Sequence, residues 1–513
     1  MSGKIRSAIA RLQAWFDRLF RHRWLRCTLL LLALPTLLLA GFALYGLWLF
    51  TRNVPVTYAD PAEHFKYGST RGEMASGLPY WIWQVLPQVC GQHLPDPRRG
   101  YASLGLIYED GRDLPIGMSK RNYQGVDRTF LNCSVCHTST WRETPGAEPT
   151  IVLGMPGNRF RVWDLQRFLF ACAKDPKFST EFVVPAIDRA MRERGERLGL
   201  LDRYAIYPVA IALMRERLLM LAGRFEPLMQ YPEWGPGRVD TFNAAKVIFN
   251  FPMAALPEHE KNAPSDFPSI WLQRPREGMQ LHWDGNNTSV EERNKSAAFG
   301  TGTMPSTIDV AAIARIEDWL LTLEPPPYPF PIDQAQAARG KTVYGEYCAD
   351  CHGAGGRDFS GAHVGKVTPL AGIGTDRRRL DSYSRDLAVN QSTLYAGYPW
   401  RFTHFRKTDG YANMPLDGLW LRAPYLHNGS VPTLRDLLEP ASGRPRSFWR
   451  GDDVYDRHKV GFVSDIDERD GVRLFLFDTS VPGNSNAGHE GADYGTDLSD
   501  EDKDALVTFL KTF

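Results

Sequence analysis

Two pentapeptides carry the most specific chemistry in this chain: Cys133-Ser134-Val135-Cys136-His137 and Cys348-Ala349-Asp350-Cys351-His352. Two thiols at this spacing can add across the two vinyl groups of one haem. A histidine directly after the second thiol can turn under the ring and bind the iron, so C-x-x-C-H predicts c-type haem attachment. A structural zinc site would need four ligands, and neither pair has a second C-x-x-C or a spaced histidine pair nearby. A thioredoxin-like redox pair would sit in a βαβ alternation that the flanking sequence does not show. With seven Cys and twelve His in 513 residues, two such motifs predict two covalently attached c-type haems, with His137 and His352 as iron ligands.

What occupies the opposite side of each iron decides between electron transfer and bond chemistry. For the second motif the candidates are His363, Met414, His427 and His489. After His137 no histidine occurs before His259, and Met155, the nearby soft donor, reads more readily as core than as a ligand. The first iron is therefore expected to be open, with His137 as its proximal ligand. Trp141, Trp271 and Trp283 are candidates for an aromatic bridge between the haems, each with a plain core role as its alternative.

The elements that must position these groups begin after an N-terminal anchor. Residues 1–27 hold Lys4, Arg6, Arg11, Arg18, Arg21, Arg23 and Arg26 against Asp17, a surplus of six that leaves about −5 for the rest of a chain whose formal total is +1. Such a remainder argues against a nucleic-acid partner. Thr28 to Phe50 is an uncharged, mostly apolar run, which as a helix of roughly 34 Å would cross a hydrocarbon core. The basic flank before it predicts a cytoplasmic N-terminus and everything after Thr51 on the far side, with Tyr45, Trp48 and Phe50 at the outer interface. A cleaved signal peptide is the rival, but the stretch is long for one and ends without a small-residue cleavage site. Since c-type haem is attached outside the cytoplasmic membrane, motif and topology together predict a single-pass protein of a bacterial inner membrane with periplasmic haem domains. In that oxidising compartment Cys90 and Cys172 could pair, two buried thiols being the alternative.

Asn53 to about Gln124 is dense in turn residues and aromatics without a helical period, and is expected to wrap irregularly towards the first motif. Helical spacing appears from about Val162 to Gly223 and from Ile308 to Leu323. Between them lie Gly/Asn-rich loops at 235–243 and 282–287, of a kind that can line a ligand pocket. The run Pro325-Pro326-Pro327-Tyr328-Pro329-Phe330-Pro331 predicts a stiff linker. Beyond it, Asp333 is placed to cap a helix entering the second motif, and Leu506, Phe509, Leu510 and Phe513 share one face of a terminal helix able to cross it. The expected fold is mainly α with extensive irregular loops. Its parts are a basic tail (1–27), a transmembrane helix (28–50), an N-terminal haem domain (51–324), a Pro-rich linker (325–332) and a C-terminal cytochrome c-like haem domain (333–513).

Ala423-Pro424-Tyr425-Leu426-His427-Asn428-Gly429-Ser430-Val431-Pro432-Thr433-Leu434 and the later Gly483-Asn484-Ser485-Asn486-Ala487-Gly488-His489 carry a family resemblance. The first segment resembles that of bacterial di-haem cytochrome c peroxidases and of the di-haem enzyme that matures methylamine dehydrogenase. The two segments together are most similar to di-haem cytochromes of the rubber-oxygenase type. The resemblance runs from about His64 to Phe513. It implies a catalytic haem on Cys133, Cys136 and His137, and an electron-relay haem on Cys348, Cys351 and His352 with His489 as its distal ligand. It also implies that His427 contacts a haem propionate rather than iron. The chain departs from the peroxidases in lacking a histidine soon after the first motif, and from the secreted rubber oxygenases in carrying an anchor.

These readings predict an oxidoreductase in which a periplasmic donor protein delivers electrons through the C-terminal haem to an N-terminal haem that reduces peroxide or activates oxygen. The alternative is a non-catalytic electron-transfer cytochrome serving a respiratory complex. A protein-modifying role like that of the maturation enzyme is a third, weaker expectation.

Overall fold

A computed structural model of the chain describes residues 2–19 and 23–513. Arg21 of the basic tail lies outside the described residues, as do the side chains of Lys4, Arg6, Arg18, Arg23 and Arg26. Two units separate by their internal contacts: residues 1–54 with 122–126, and residues 55–121 with 127–513. The first contains the helices Ser2–Leu19 and Arg23–Thr51. Within the second helix, Leu30–Thr51 is long and apolar enough to cross a membrane, and its apolar side chains are exposed. Pro35 removes one backbone donor inside this helix, and Thr36 Oγ1 donates to Leu32 O one residue later.

The second unit is helix-rich with short antiparallel ribbons. The helices Val162–Lys174, Thr180–Glu193 and Tyr207–Met229 realise the expected helical run. Tyr80–Val89 is also a helix, where the aromatic-rich sequence gave no helical period. Seven of its ten residues are buried, and Gln84, Pro87 and Gln88 form the one narrow face that is not. It packs on Thr180–Glu193. At its end Cys90 forms a disulfide with Cys172 of Val162–Lys174, across 82 residues of sequence. Trp83 and Tyr101 stack at 3.8 Å between ring centres in the same core.

Asp333 caps the helix Gln334–Tyr347, accepting from Gln336 N at 3.0 Å. Ser499 caps Asp500–Leu510 in the same way, accepting from Asp502 N. These two helices cross at Gly340, where a Cβ would strike the Ala505 carbonyl and the Phe509 side chain. Leu506, Phe509 and Leu510 are buried there against Val343 and Tyr344. That core continues into Val152, Met155 and Trp271, so packing is unbroken across the Pro-rich segment. Tyr328 and Phe330 of the segment meet Trp420, Tyr455 and Trp141 edge-on, and Trp420 Nε1 donates to Pro326 O. A sequence that reads as a spacer is therefore a docked strap.

Candidate haem sites

The first motif is a tight turn held from both ends. Asn132 Oδ1 accepts from Ser134 N at 3.0 Å, while its Nδ2 donates to the carbonyls of Lys66 and Gly68. Gly117, at φ +89°, lets the backbone close on Val135, where any Cβ would collide. Downstream, Thr138–Trp141 pairs antiparallel with Thr150–Leu153, and Gly154 N returns to His137 O at 2.8 Å. His137 Nδ1 donates to Pro268 O at 2.9 Å. That bond fixes the tautomer and turns Nε2 out as a free donor to a metal. Burial brings the His137 pKa down to about 4 and the Cys133 thiol up to about 11.

Cys133, Cys136 and His137 line a cavity of about 400 Å³. Its apolar walls include Phe160, Phe242, Ile248 and Phe267, and Arg276, Arg293, Arg379 and Arg422 also reach it. Three of these guanidiniums have buried carboxylates: Asp417 serves Arg276 and Arg422, and Asp284 serves Arg379. Arg293 has no carboxylate within ion-pair distance among the described residues; its side chain donates to Asn294 Oδ1 at 3.2 Å, and Glu317 and Glu277 act on it from further away. Gln166 Oε1, on the same wall, is buried and unpartnered. A flat apolar group with acidic edge substituents, tethered by two thioethers, meets the donors this cavity offers, so the residues fit a haem.

The second motif follows Gln334–Tyr347 directly, and Tyr344 OH donates to Gly353 O to hold the turn beyond it. His352 Nδ1 donates to Met414 O at 2.7 Å, the same orienting device as at His137. This bond puts the Met414 backbone behind His352 and removes it from the opposite side. His489 stands 6.3 Å from His352 between ring centres. Two imidazoles on opposite faces of one iron, each with a metal–nitrogen distance of roughly 2 Å and a ring centre roughly 1 Å further out, would have centres about 6 Å apart. The pair fits a haem between them. His489 Nδ1 is buried without a partner, and burial, reinforced by His352 and Arg444, brings the His489 pKa to about 3.

The backbone at His489 is left-handed, with φ +50°. His489 N donates to Ile373 O at 2.8 Å. Arg444, which the sequence did not single out, clamps the loop: its guanidinium donates to the carbonyls of Asn486, Gly488 and His489, and also to those of Leu437 and Glu439. His363 is exposed beside Asp350. His427 is buried under Tyr411, with ring centres 4.2 Å apart and Nε2 3.1 Å from the Tyr411 hydroxyl. Burial, then Arg379 and Arg238, holds the His427 pKa well below its usual value.

Of the three tryptophans, Trp141 packs in the core with Trp420, and Trp271 donates to Leu153 O in that core. Trp283 lines the cavity, donates to Asp266 O, and accepts from Ala412 N at 2.8 Å. Both Gly/Asn-rich loops reach the cavity, through Val239 and Phe242 and through His282, Trp283 and Asn286.

Comparison with known proteins agrees with this donor chemistry. Residues 410–450, which contain Met414, His427 and Arg444, match the family described as RoxA-like, cytochrome c-like. That match implies haem c binding and electron transfer. The chain is 33% identical over 293 residues to the uncharacterized protein y4iM of Sinorhizobium fredii (strain NBRC 101917 / NGR234), covering 48% of this chain and 64% of that protein, just under two thirds of its length. It is 30% identical over 489 residues to the uncharacterized protein y4iJ of the same organism, covering 74% of this chain and 76% of that protein. On that similarity the chain belongs to the family of y4iJ, and within it carries a cytochrome c-like segment of the RoxA-like type.

Proposed function

We propose that the chain is a membrane-anchored, exported di-haem c-type cytochrome whose C-terminal site relays electrons and whose N-terminal site reduces peroxide or activates oxygen. One observation carries this reading. The two motifs are alike in sequence but not in surroundings: His352 faces a second imidazole, whereas His137 faces a cavity of about 400 Å³. A haem held between His352 and His489 would supply one-electron exchange, and one held by His137 alone would supply reduction of a small oxidant.

The residues divide the work accordingly. Cys348, Cys351, His352 and His489 hold the closed site, the two histidines serving as metal ligands. Cys133, Cys136 and His137 hold the open one, with His137 as its proximal ligand. Arg293, with no carboxylate within ion-pair distance among the described residues, neutralises an acidic edge of the group in the cavity. His427, held against Tyr411, belongs to the polar surroundings and binds no metal. Leu30–Thr51 anchors the protein in an inner membrane with the haem domains on the periplasmic side, where a soluble or membrane-bound redox protein delivers the electrons.

The test uses the full-length protein in detergent. Optical and electron paramagnetic resonance spectra are recorded oxidised and reduced, with carbon monoxide added to the reduced form. One high-spin iron that takes up carbon monoxide, lost in Cys133→Ser/Cys136→Ser and kept in Cys348→Ser/Cys351→Ser, is the expected result. Two low-spin irons that ignore carbon monoxide would replace this reading with an anchored electron carrier.

A further inference from the structure

The cavity beside His137 contains a second imidazole. His282 opens the loop 282–287 with left-handed backbone, φ +64°. A non-glycine residue adopts that conformation at a cost of about 1 kcal/mol or more, sustained only where neighbours over-determine it. Here the neighbours are specific. His282 Nδ1 donates to Asn286 Oδ1 at 2.6 Å, and Phe405 lies nearly parallel to the ring at 6.4 Å. The bond at Nδ1 fixes the tautomer, so Nε2 keeps its lone pair. Among the described residues nothing donates to that Nε2, and the ring lines the same cavity as Cys133, Cys136 and His137.

Burial keeps the ring neutral. Burial, aided by Arg293 and Arg379, brings its pKa down to about 4. Asp284 and the Asn286 hydrogen bond pull the other way, the Asp284 carboxylate being engaged by Arg379 at 2.7 Å. With Nδ1 tied to Asn286 and Nε2 free on the cavity wall, the ring is placed to accept a proton; the lowered pKa makes it a weak base, so position and not basicity qualifies it.

We propose that His282 is the proton-accepting residue of this cavity, taking the proton of a small protonic ligand such as hydrogen peroxide that enters the space His137 leaves open. The O–H bond breaks, its electron pair stays on the peroxide oxygen, and the proton goes to Nε2. The proposal rests on the N-terminal site being open.

Cyanide is the probe. At neutral pH it is protonated and must lose that proton to bind ferric haem as an anion, whereas carbon monoxide binds ferrous haem with no proton change. In the full-length holoprotein His282→Phe is expected to slow cyanide association by about 100-fold and to leave carbon monoxide association unchanged. His282→Gln, which keeps polarity and volume without basicity, is expected to do the same, and it serves should the Phe variant fail to fold. Asn286→Leu, which frees the tautomer, is expected to slow cyanide to a smaller extent. Equal slowing of both ligands, or no slowing of either, overturns the proposal. So does conversion of a low-spin iron to high spin on replacing His282, which would make the residue an iron ligand. Failure of the wild-type N-terminal site to take up carbon monoxide at all would instead remove the open site itself, and the proposal with it.

Discussion

Arg444→Met asks whether His489 is held by its own ring or by the loop that carries it. Arg444 is buried and gives all its hydrogen bonds to backbone carbonyls: Glu439 at 2.8 Å, Gly488 at 2.9 Å, Leu437 and His489 at 3.1 Å, and Asn486. Three of the five acceptors lie in 486–489. A hydrogen bond from a charged donor contributes about 1.5–3 kcal/mol net, and a shared fork makes the five less than additive, so losing the guanidinium removes on the order of 4 kcal/mol. If the loop bears its share, its docked position loses about 2.5 kcal/mol, which at 1.4 kcal/mol per decade raises the undocked population roughly 60-fold. The readout is carbon monoxide affinity of the reduced C-terminal site, where carbon monoxide competes with His489. An increase of tens of fold is expected for Arg444→Met and a smaller one for Arg444→Lys, whose ammonium has three donors but no planar fork. In a His489→Ala background the same substitution should change nothing further. A fall in thermal stability with unchanged carbon monoxide affinity would refute the clamp.

Gly340→Ala should destabilise the protein by about 1–3 kcal/mol despite alanine's better helix propensity, because the new Cβ meets the Ala505 carbonyl, whereas Gly345→Ala in the same helix faces open space and should stabilise by about 0.5–1 kcal/mol. Comparing the two thermal midpoints checks this. Replacing Cys90 and Cys172 by Ala opens an 82-residue loop and should lower stability by about 2–4 kcal/mol, read from the denaturant midpoint. His427 titrates near 6.5 when unfolded and well below that when folded, so the unfolded state binds the proton first. Its contribution is fully present above pH 6.5 and is lost as pH falls towards the folded value, at up to about 1.4 kcal/mol per pH unit. His427→Gln, which meets the Tyr411 hydroxyl without titrating, should flatten denaturant midpoints measured between pH 7.5 and 5. An unchanged slope would contradict it.

The features legible in the sequence were those whose cause is local. C-x-x-C-H states its chemistry in five residues, Asp333 and Ser499 cap within three residues of themselves, and the face of the terminal helix repeats every turn. What could not be read depends on distant partners. His137 is oriented by Pro268, 131 residues away, and His352 by Met414, 62 away. Arg444 meets Asn486 across 42 residues, and nothing in its local sequence distinguishes it from a surface arginine. Tyr80–Val89 was missed because its polar stripe is only Gln84, Pro87 and Gln88, of which the proline reads as a breaker, and the Pro-rich strap because proline content reports stiffness but not what the stiff segment lies against. His282 stood in a loop flagged only as able to line a pocket; its role rests on which cavity the loop faces.

The two sites share one short segment, and this limits how independently they can vary. In the strand Gly410–Ala412, which pairs with Val367–Pro369 next to the second motif, Ala412 N donates to the carbonyl of Trp283 on the wall of the first cavity. Two residues later Met414 O receives the His352 proton while the Met414 residue itself lines that cavity. A displacement of this segment therefore changes the orientation of His352 and the shape of the space beside His137 together. Coupling through one packed element needs no long pathway, and it means that substitutions at 410–414 should perturb both proposed haem sites even where their side chains touch only one.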